Sequence, residues 1–197
     1  MAEKTRQDAW DLMTEYTPSE NLRRHMLAVE AAMRAYARRL GEDEERWAMA
    51  GLLHDFDYEQ HPNPDWKADP NEHPLFGARV LEEQGYPQDV IYAIKTHAEY
   101  LGLPRTSEMD KALFAVDELT GLITAAALVR PDKNIQNLEA RSVRKKMKDK
   151  AFARGVNRED VVNGAADLGV DLDEHIAFVI DAMRSVGDEL GLAGTSA

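Results

Sequence analysis

Along most of the chain, apolar residues recur three and four positions apart, the spacing of one helix face, and no stretch alternates long enough to predict a strand. Residues 4–16 set Trp10, Met13 and Tyr16 on a short amphipathic helix. Thr17-Pro18-Ser19-Glu20 reads as a capping-box start with proline at the first helical position. The helix it opens is predicted to reach Leu40, with Gly41 as its stop. Its apolar face is Leu22, His25, Val29, Ala32 and Tyr36, so His25 points inward. Residues 43–55 form the next helix, with Trp47, Ala50, Gly51 and His54 along one side. The loop from Phe56 to Asn71, holding Pro62, Pro64 and Pro70, is the longest stretch without a period. Loops of this length commonly serve function. Asp57, Tyr58, Glu59 and His61 are placed to rim a site, although His61 reads better as an ordinary solvated residue.

His73-Pro74 opens another helix that Gly85 closes, and Pro87 opens one through Leu101-Gly102 with Val90, Ile94, His97 and Leu101 on one stripe. Thr106–Val129 is apolar nearly all round and reads as a central buried helix. Yet it contains Asp117, on the face of Leu113, Thr120 and Thr124, and a buried carboxylate is costly unless paired or bound to a cation. Leu138 to Gly155 is predicted as a basic helix carrying Arg141, Arg144, Lys145, Lys146, Lys148, Lys150 and Arg154, and packing through Val143, Met147 and Ala151. Asn157 begins a helix that Gly169 ends, and Asp171 begins a last one to Leu190, after which the tail from Gly191 is expected to fray. The expected fold is all-α, one domain over residues 1–197 with about eight or nine helices. Its core lies within 17–130, with 138–190 packed on it.

Composition narrows the chemistry. A chain of 197 residues, 44% hydrophobic, can build one core. The absence of cysteine excludes disulfides, thiolate metal sites and a cysteine nucleophile. There is no apolar run of about 18 residues, and Met1-Ala2-Glu3-Lys4 lacks a signal-peptide pattern, so a cytoplasmic protein with no membrane partner is expected. A net charge of −12 suits a nucleic acid polymer poorly, since such binding rests on Lys and Arg neutralising phosphates. A small anionic substrate fits if positive charge is concentrated locally. Arg141, Lys145 and Lys148, at i, i+4 and i+7 on the basic helix, provide one such concentration.

The candidate chemistry starts at Gly51-Leu52-Leu53-His54-Asp55. Neighbours on a helix point about 100° apart, so this His-Asp pair can approach one ion from two directions. Imidazole nitrogen and carboxylate oxygen are good ligands for divalent first-row metals. His25, His73, His97 and Asp117 join the pair as residues at or within helices. No two of them have zinc-finger spacing, and each alone has a plain structural role open to it, such as hydrogen bonding to the backbone.

Taken in order, however, these residues resemble the HD superfamily of metal-dependent phosphohydrolases, the HDIG-type branch above all, with its signature H…HD…H…H…D. The similarity covers roughly His25 to Arg130 and includes Leu52-Leu53-His54-Asp55, His73-Pro74-Leu75-Phe76-Gly77-Ala78 and Ala115-Val116-Asp117-Glu118-Leu119. The resemblance implies that His25, His54, Asp55 and Asp117 hold one metal, that His73 and His97 complete a second, and that Asp55 bridges the two. The cofactors it implies are two divalent ions drawn from Fe, Mn, Co, Mg, Ni or Zn. The Ile-Gly that usually follows the pair, often with a lysine after it, is here Phe56-Asp57-Tyr58, so no lysine stands at that place. The implied activity is hydrolysis of a small phosphorylated substrate, a nucleotide or another phosphate ester, by an activated water. Asp55 is then central to catalysis, Asp57 or Glu118 can move a proton to the leaving group, and Arg141, Lys145 and Lys148 can meet the phosphate. The same ligand set also serves di-iron oxygenases of this fold that act on phosphonates or polyols, and a non-catalytic signalling module is the third possibility.

Overall fold

Good helix caps stand where the periodicity breaks, and they set the element boundaries. A computed structural model describes residues 3–194 and folds them into nine α-helices with two short 3-10 turns. These are α1 (Arg6–Tyr16), α2 (Glu20–Leu40), α3 (Glu44–Leu53), α4 (Leu75–Glu83) and α5 (Gln88–His97). They are followed by α6 (Glu108–Leu128), α7 (Ala140–Met147), α8 (Arg158–Asp167) and α9 (Leu172–Arg184). Asp43, Asn157 and Asp171 each accept from backbone N–H groups in the first turn of the helix they cap. Among the described residues there is no strand, and one isolated bridge joins Asn134 to Ala193. The all-α expectation therefore holds.

The core is a single cluster running from Ala9 on α1 to Leu192. Burial of each large apolar side chain in it contributes about 1.5–3 kcal/mol. Helix α6 sits centrally, in contact with α2, α5 and α8, and buries residues on nearly every face. Helices α2 and α3 lie against one another. Gly51 makes this closeness possible, because a Cβ there would stand 2.8 Å from the Glu30 Cα. That close approach brings the end of α3 beside His25 on α2. Glu30, 4% exposed, is held by Arg6 Nε at 2.6 Å and Arg34 Nε at 3.0 Å, which fastens α1 to α2 through charge-assisted hydrogen bonds.

Several boundaries differ from expectation. Ser19, not Thr17, caps α2, and Thr17 instead ends α1 and donates its hydroxyl to the Phe56 carbonyl at 2.9 Å. Helix α5 stops at His97 because Ala98 turns to an extended ψ of 94°, and a 3-10 turn, Glu99–Leu101, follows. The basic helix is shorter than predicted and ends at Met147. Beyond it Ala151 is exposed, and Arg158 Nη1 collects the carbonyls of Ala153 and Val156 at 2.7 Å each. Those carbonyls take a guanidinium in place of helical N–H groups. Helix α9 likewise ends at Arg184. The tail does not fray at Gly191: Leu192 is buried, and its carbonyl accepts from Ile135 N–H at 2.8 Å. Residues 1–2 and 195–197, at the two ends of the expected domain, lie outside the described residues.

Candidate metal centre

Five segments bring the six implied ligands together. His25 comes from α2, His54 and Asp55 from the end of α3, His73 from just before α4, His97 from the last position of α5, and Asp117 from the middle of α6. The two oxygens of Asp55 divide the set. Its Oδ2 lies 3.8 Å from His25 Nε2 and 3.5 Å from His54 Nε2, while its Oδ1 lies 3.4 Å from His73 Nε2 and 3.5 Å from His97 Nε2. Asp117 Oδ1 completes the first side, 3.0 Å from His25 Nε2 and 3.4 Å from His54 Nε2. Two groups could each hold a metal ion, His25 with His54 and Asp55, and Asp55 with His73 and His97. Asp117 is thus explained as a carboxylate surrounded by imidazoles.

The outer nitrogens test whether this donor set fits cations. His54 Nδ1 donates to the Gly51 carbonyl at 2.8 Å, His73 Nδ1 to Asp57 Oδ1 at 2.8 Å, and His97 Nδ1 to the Ile94 carbonyl. The Thr120 hydroxyl donates to the Asp117 carbonyl at 2.8 Å, which leaves its oxygen to accept from His25 Nδ1 at 3.5 Å. Every Nδ1 of these four therefore faces an acceptor, so in the neutral ring the proton sits there and Nε2 presents its lone pair inward. This is the tautomer that metal-ligating histidines adopt. His25 and His54 even bring their Nε2 atoms to 3.2 Å, a repulsive contact for two lone pairs unless a cation or proton lies between them. The residues fit divalent cations.

The electrostatics agree. Burial opposes charge on His54, but the carboxylates of Asp55 and Asp117 outweigh it and hold the imidazole up at about 9. Burial also resists charge on those carboxylates, and the surrounding imidazoles nonetheless keep both well below the usual range.

Around these donors lies a cavity of about 580 Å³. Tyr58 borders it as expected. Glu118 also lines it, its Oε2 accepting from Asn157 N–H at 3.1 Å. Burial and neighbouring Asp117 push the Glu118 carboxyl up to about 7. Asp57 has a different place from the proton carrier expected of it. It is 1% exposed, and its two oxygens are taken by His73 Nδ1 and, at 2.7 Å, by Gly77 N–H, so it orients a ligand rather than meeting a substrate. Glu59 caps α2 instead of rimming the site, accepting from Ser19 N–H at 3.0 Å. His61 stacks on Phe76 with ring centroids 3.4 Å apart. Arg141, Lys145 and Lys148 line a separate surface depression with Arg144 and Asp173. They do not border the metal cavity. Trp66, Glu99, Tyr100, Phe114, Asn157 and Asp160 do border it, and sequence reasoning passed them over. Glu99 and Tyr100 lie within three residues of His97, a closeness that could have pointed to them. Nothing local marks Asn157 and Asp160, which reach the site only because α8 packs on α6.

The chain is 29% identical over 144 residues to Ribonuclease Y of Oleidesulfovibrio alaskensis, covering 72% of this chain and 26% of that protein. It is 29% identical over 130 residues to Ribonuclease Y of Lawsonia intracellularis, covering 64% of this chain and 23% of the relative. The chain thus spans about a quarter of the length of these curated relatives. No solved structure matches it significantly. Among the described residues no helix is long and apolar enough to cross a membrane. The HD domain family matches residues 22–183, most of the chain, and the protein belongs to that family.

Proposed function

We propose that the protein is a metal-dependent phosphohydrolase that cleaves the ester of a small phosphorylated molecule. The observation that carries this is the division of Asp55 between two histidine pairs, with every histidine Nδ1 already engaged. His25, His54, Asp55 and Asp117 would hold one divalent cation, and His73, His97 and the other oxygen of Asp55 a second. Bound there, such a pair supplies Lewis acidity that brings water's pKa toward neutrality and offsets charge on phosphoryl oxygens. Water attacks phosphorus, the P–O bond to the alcohol breaks, and the departing oxygen takes a proton. Glu118 borders the cavity with a carboxyl at about 7 and suits the delivery of that proton. Asp57 holds the His73 ring in register by accepting from Nδ1.

The family and the ribonuclease relatives support phosphoester chemistry in general. A compact cavity supports a small substrate over a polymer. The test is metal analysis of protein purified without chelator, then phosphate release from small esters with Mn, Co or Mg, with an RNA oligonucleotide alongside. Iron-dependent oxygen consumption without phosphate release would replace this proposal with the oxygenase alternative.

A further inference from the structure

The cavity has an unexpected composition for a site that receives an anion. Apart from the metal ligands, its charged lining residues are Glu99, Glu118 and Asp160, and among the described residues neither Lys nor Arg joins them. Glu99 has a distant partner in Arg105, 3.9 Å away, but that guanidinium is committed to Asp167 at 2.9 Å and lies over the Phe114 ring. Beside Ala98, Gly121, Gly155 and Asn157, the rest of the wall is four aromatic residues. Tyr58 and Trp66 come from the loop after α3, Tyr100 from the 3-10 turn and Phe114 from α6. Tyr58 and Trp66 are also the two aromatic residues among the large apolar side chains left exposed, 40% and 64%, and both stand at this cavity. Trp66 meets Tyr100 edge to face, with centroids 5.7 Å apart. Exposed aromatic surface gathered at one opening marks a binding region.

These two halves divide the work of recognition. The charge of two divalent cations, less that of Asp55 and Asp117, matches one phosphate dianion, so the metal end needs no lysine. The outer end repels any further anion and attracts a cation, because carboxylates beside aromatic rings form the combination that receives organic ammonium groups. Cations held by the Nε2 atoms at the floor would fix where the phosphoryl group sits, which leaves the acidic, aromatic wall to meet what it is attached to. We propose that this cavity selects phosphate monoesters of amino alcohols, with the ammonium nitrogen seated between Glu99 and Asp160 against the rings of Trp66 and Tyr100. Hydrolysis then yields inorganic phosphate and the free amino alcohol. Burial and the nearby Glu99 carboxylate push the Asp160 carboxyl up to about 6. The proposal rests on the phosphohydrolase reading for its scissile bond, but its cation subsite can be tested without turnover.

The experiment uses the whole chain loaded with Mn²⁺. Phosphate release is compared for phosphocholine, its uncharged isostere 3,3-dimethylbutyl phosphate, and ATP. The kcat/KM for phosphocholine is expected to exceed that of the isostere by about tenfold, the effect of one partly buried charge contact. ATP should be the poorest of the three. In Asp160→Asn the preference should shrink toward parity, and in Asp160→Lys it should reverse. Independently of turnover, tetramethylammonium should quench tryptophan fluorescence saturably, the change should vanish in Trp66→Phe, and binding should weaken in Asp160→Asn. Equal kcat/KM for phosphocholine and its isostere overturns the ammonium proposal while leaving hydrolysis standing, and a preference for ATP overturns it as well. Saturable quenching with no phosphate release from any ester keeps the cation subsite and removes the hydrolytic reading. Loss of both signals removes both.

Discussion

The role of Asp57 can be isolated by changing one atom of its carboxylate. In Asp57→Asn the side chain keeps its shape, but one oxygen that accepts from His73 Nδ1–H at 2.8 Å or from Gly77 N–H at 2.7 Å becomes an NH₂ facing another donor. With Asp57 1% exposed, no solvent relieves that clash. Burial alone would depress the His73 imidazole, but the hydrogen bond to Asp57, with help from Asp55, raises it above its ordinary value, so the ring loses basicity as a ligand when the carboxylate goes. Loss of a charge-assisted buried hydrogen bond costs about 1.5–3 kcal/mol, and loss of a partner that orients a metal-ligating histidine lowers metal affinity about 10–100-fold. The deficit should fall on the His73–His97 side and spare the side built by His25, His54 and Asp117. Gly77→Ala offers a second route to the same link without removing a polar atom, because the added Cβ would lie 2.7 Å from the Asp57 carboxyl carbon. Calorimetric titration with Mn²⁺ should show two binding events in the parent and a selectively weakened one in both variants. Two unaltered binding events in Asp57→Asn, in a protein that retains its helical circular dichroism, would refute the idea that Asp57 governs the second site.

Other outcomes follow from the same geometry. Asp55→Ala removes the bridging group and should abolish both metal content and turnover; parent-like metal stoichiometry in that protein sinks the dinuclear assignment. Lys145→Glu with Lys148→Glu should leave KM for a small ester unchanged, since these residues line a different depression, and a severalfold rise in KM would return them to the site. His175 is fully buried, donating from Nε2 to the Ala115 carbonyl at 2.9 Å and accepting the Tyr36 hydroxyl at Nδ1, 2.6 Å away. Burial lowers its folded pKa below the ordinary 6.5. As pH falls through about 6.5 the unfolded chain takes up a proton that the folded protein refuses, so His175 costs stability progressively down to its folded pKa, about 1.4 kcal/mol for each pH unit crossed. The melting-temperature advantage of the parent over His175→Gln should therefore hold steady above that pH and shrink below it; a constant difference from pH 7.5 to 5 contradicts the assignment.

Periodicity and caps alone determined where the nine helices lie and most of the faces that turn inward, though not where α7 and α9 end. Both are properties of neighbouring residues: the 3.6-residue repeat aligns Val29, Ala32 and Tyr36, while Asp43 satisfies N–H groups two and three positions away and Asn157 one two positions away. The implied ligand set was legible only through the ordered resemblance to the HD superfamily, since each histidine alone had a plain structural role and Asp117, inside a buried helix, was the one residue to stand out by its cost. Four things needed the tertiary structure. That Asp55 turns one oxygen to each histidine pair depends on α3 closing on α2 across Gly51, and that Asp57 belongs to His73 depends on a loop folding back over 16 residues. The substrate wall joins residues as distant as Tyr58 and Asp160, and the basic run of α7, conspicuous in sequence, lines a separate depression. Charge and hydropathy are carried by single residues, whereas the distance between two side chains remote in sequence is set by helix packing, which no local pattern encodes.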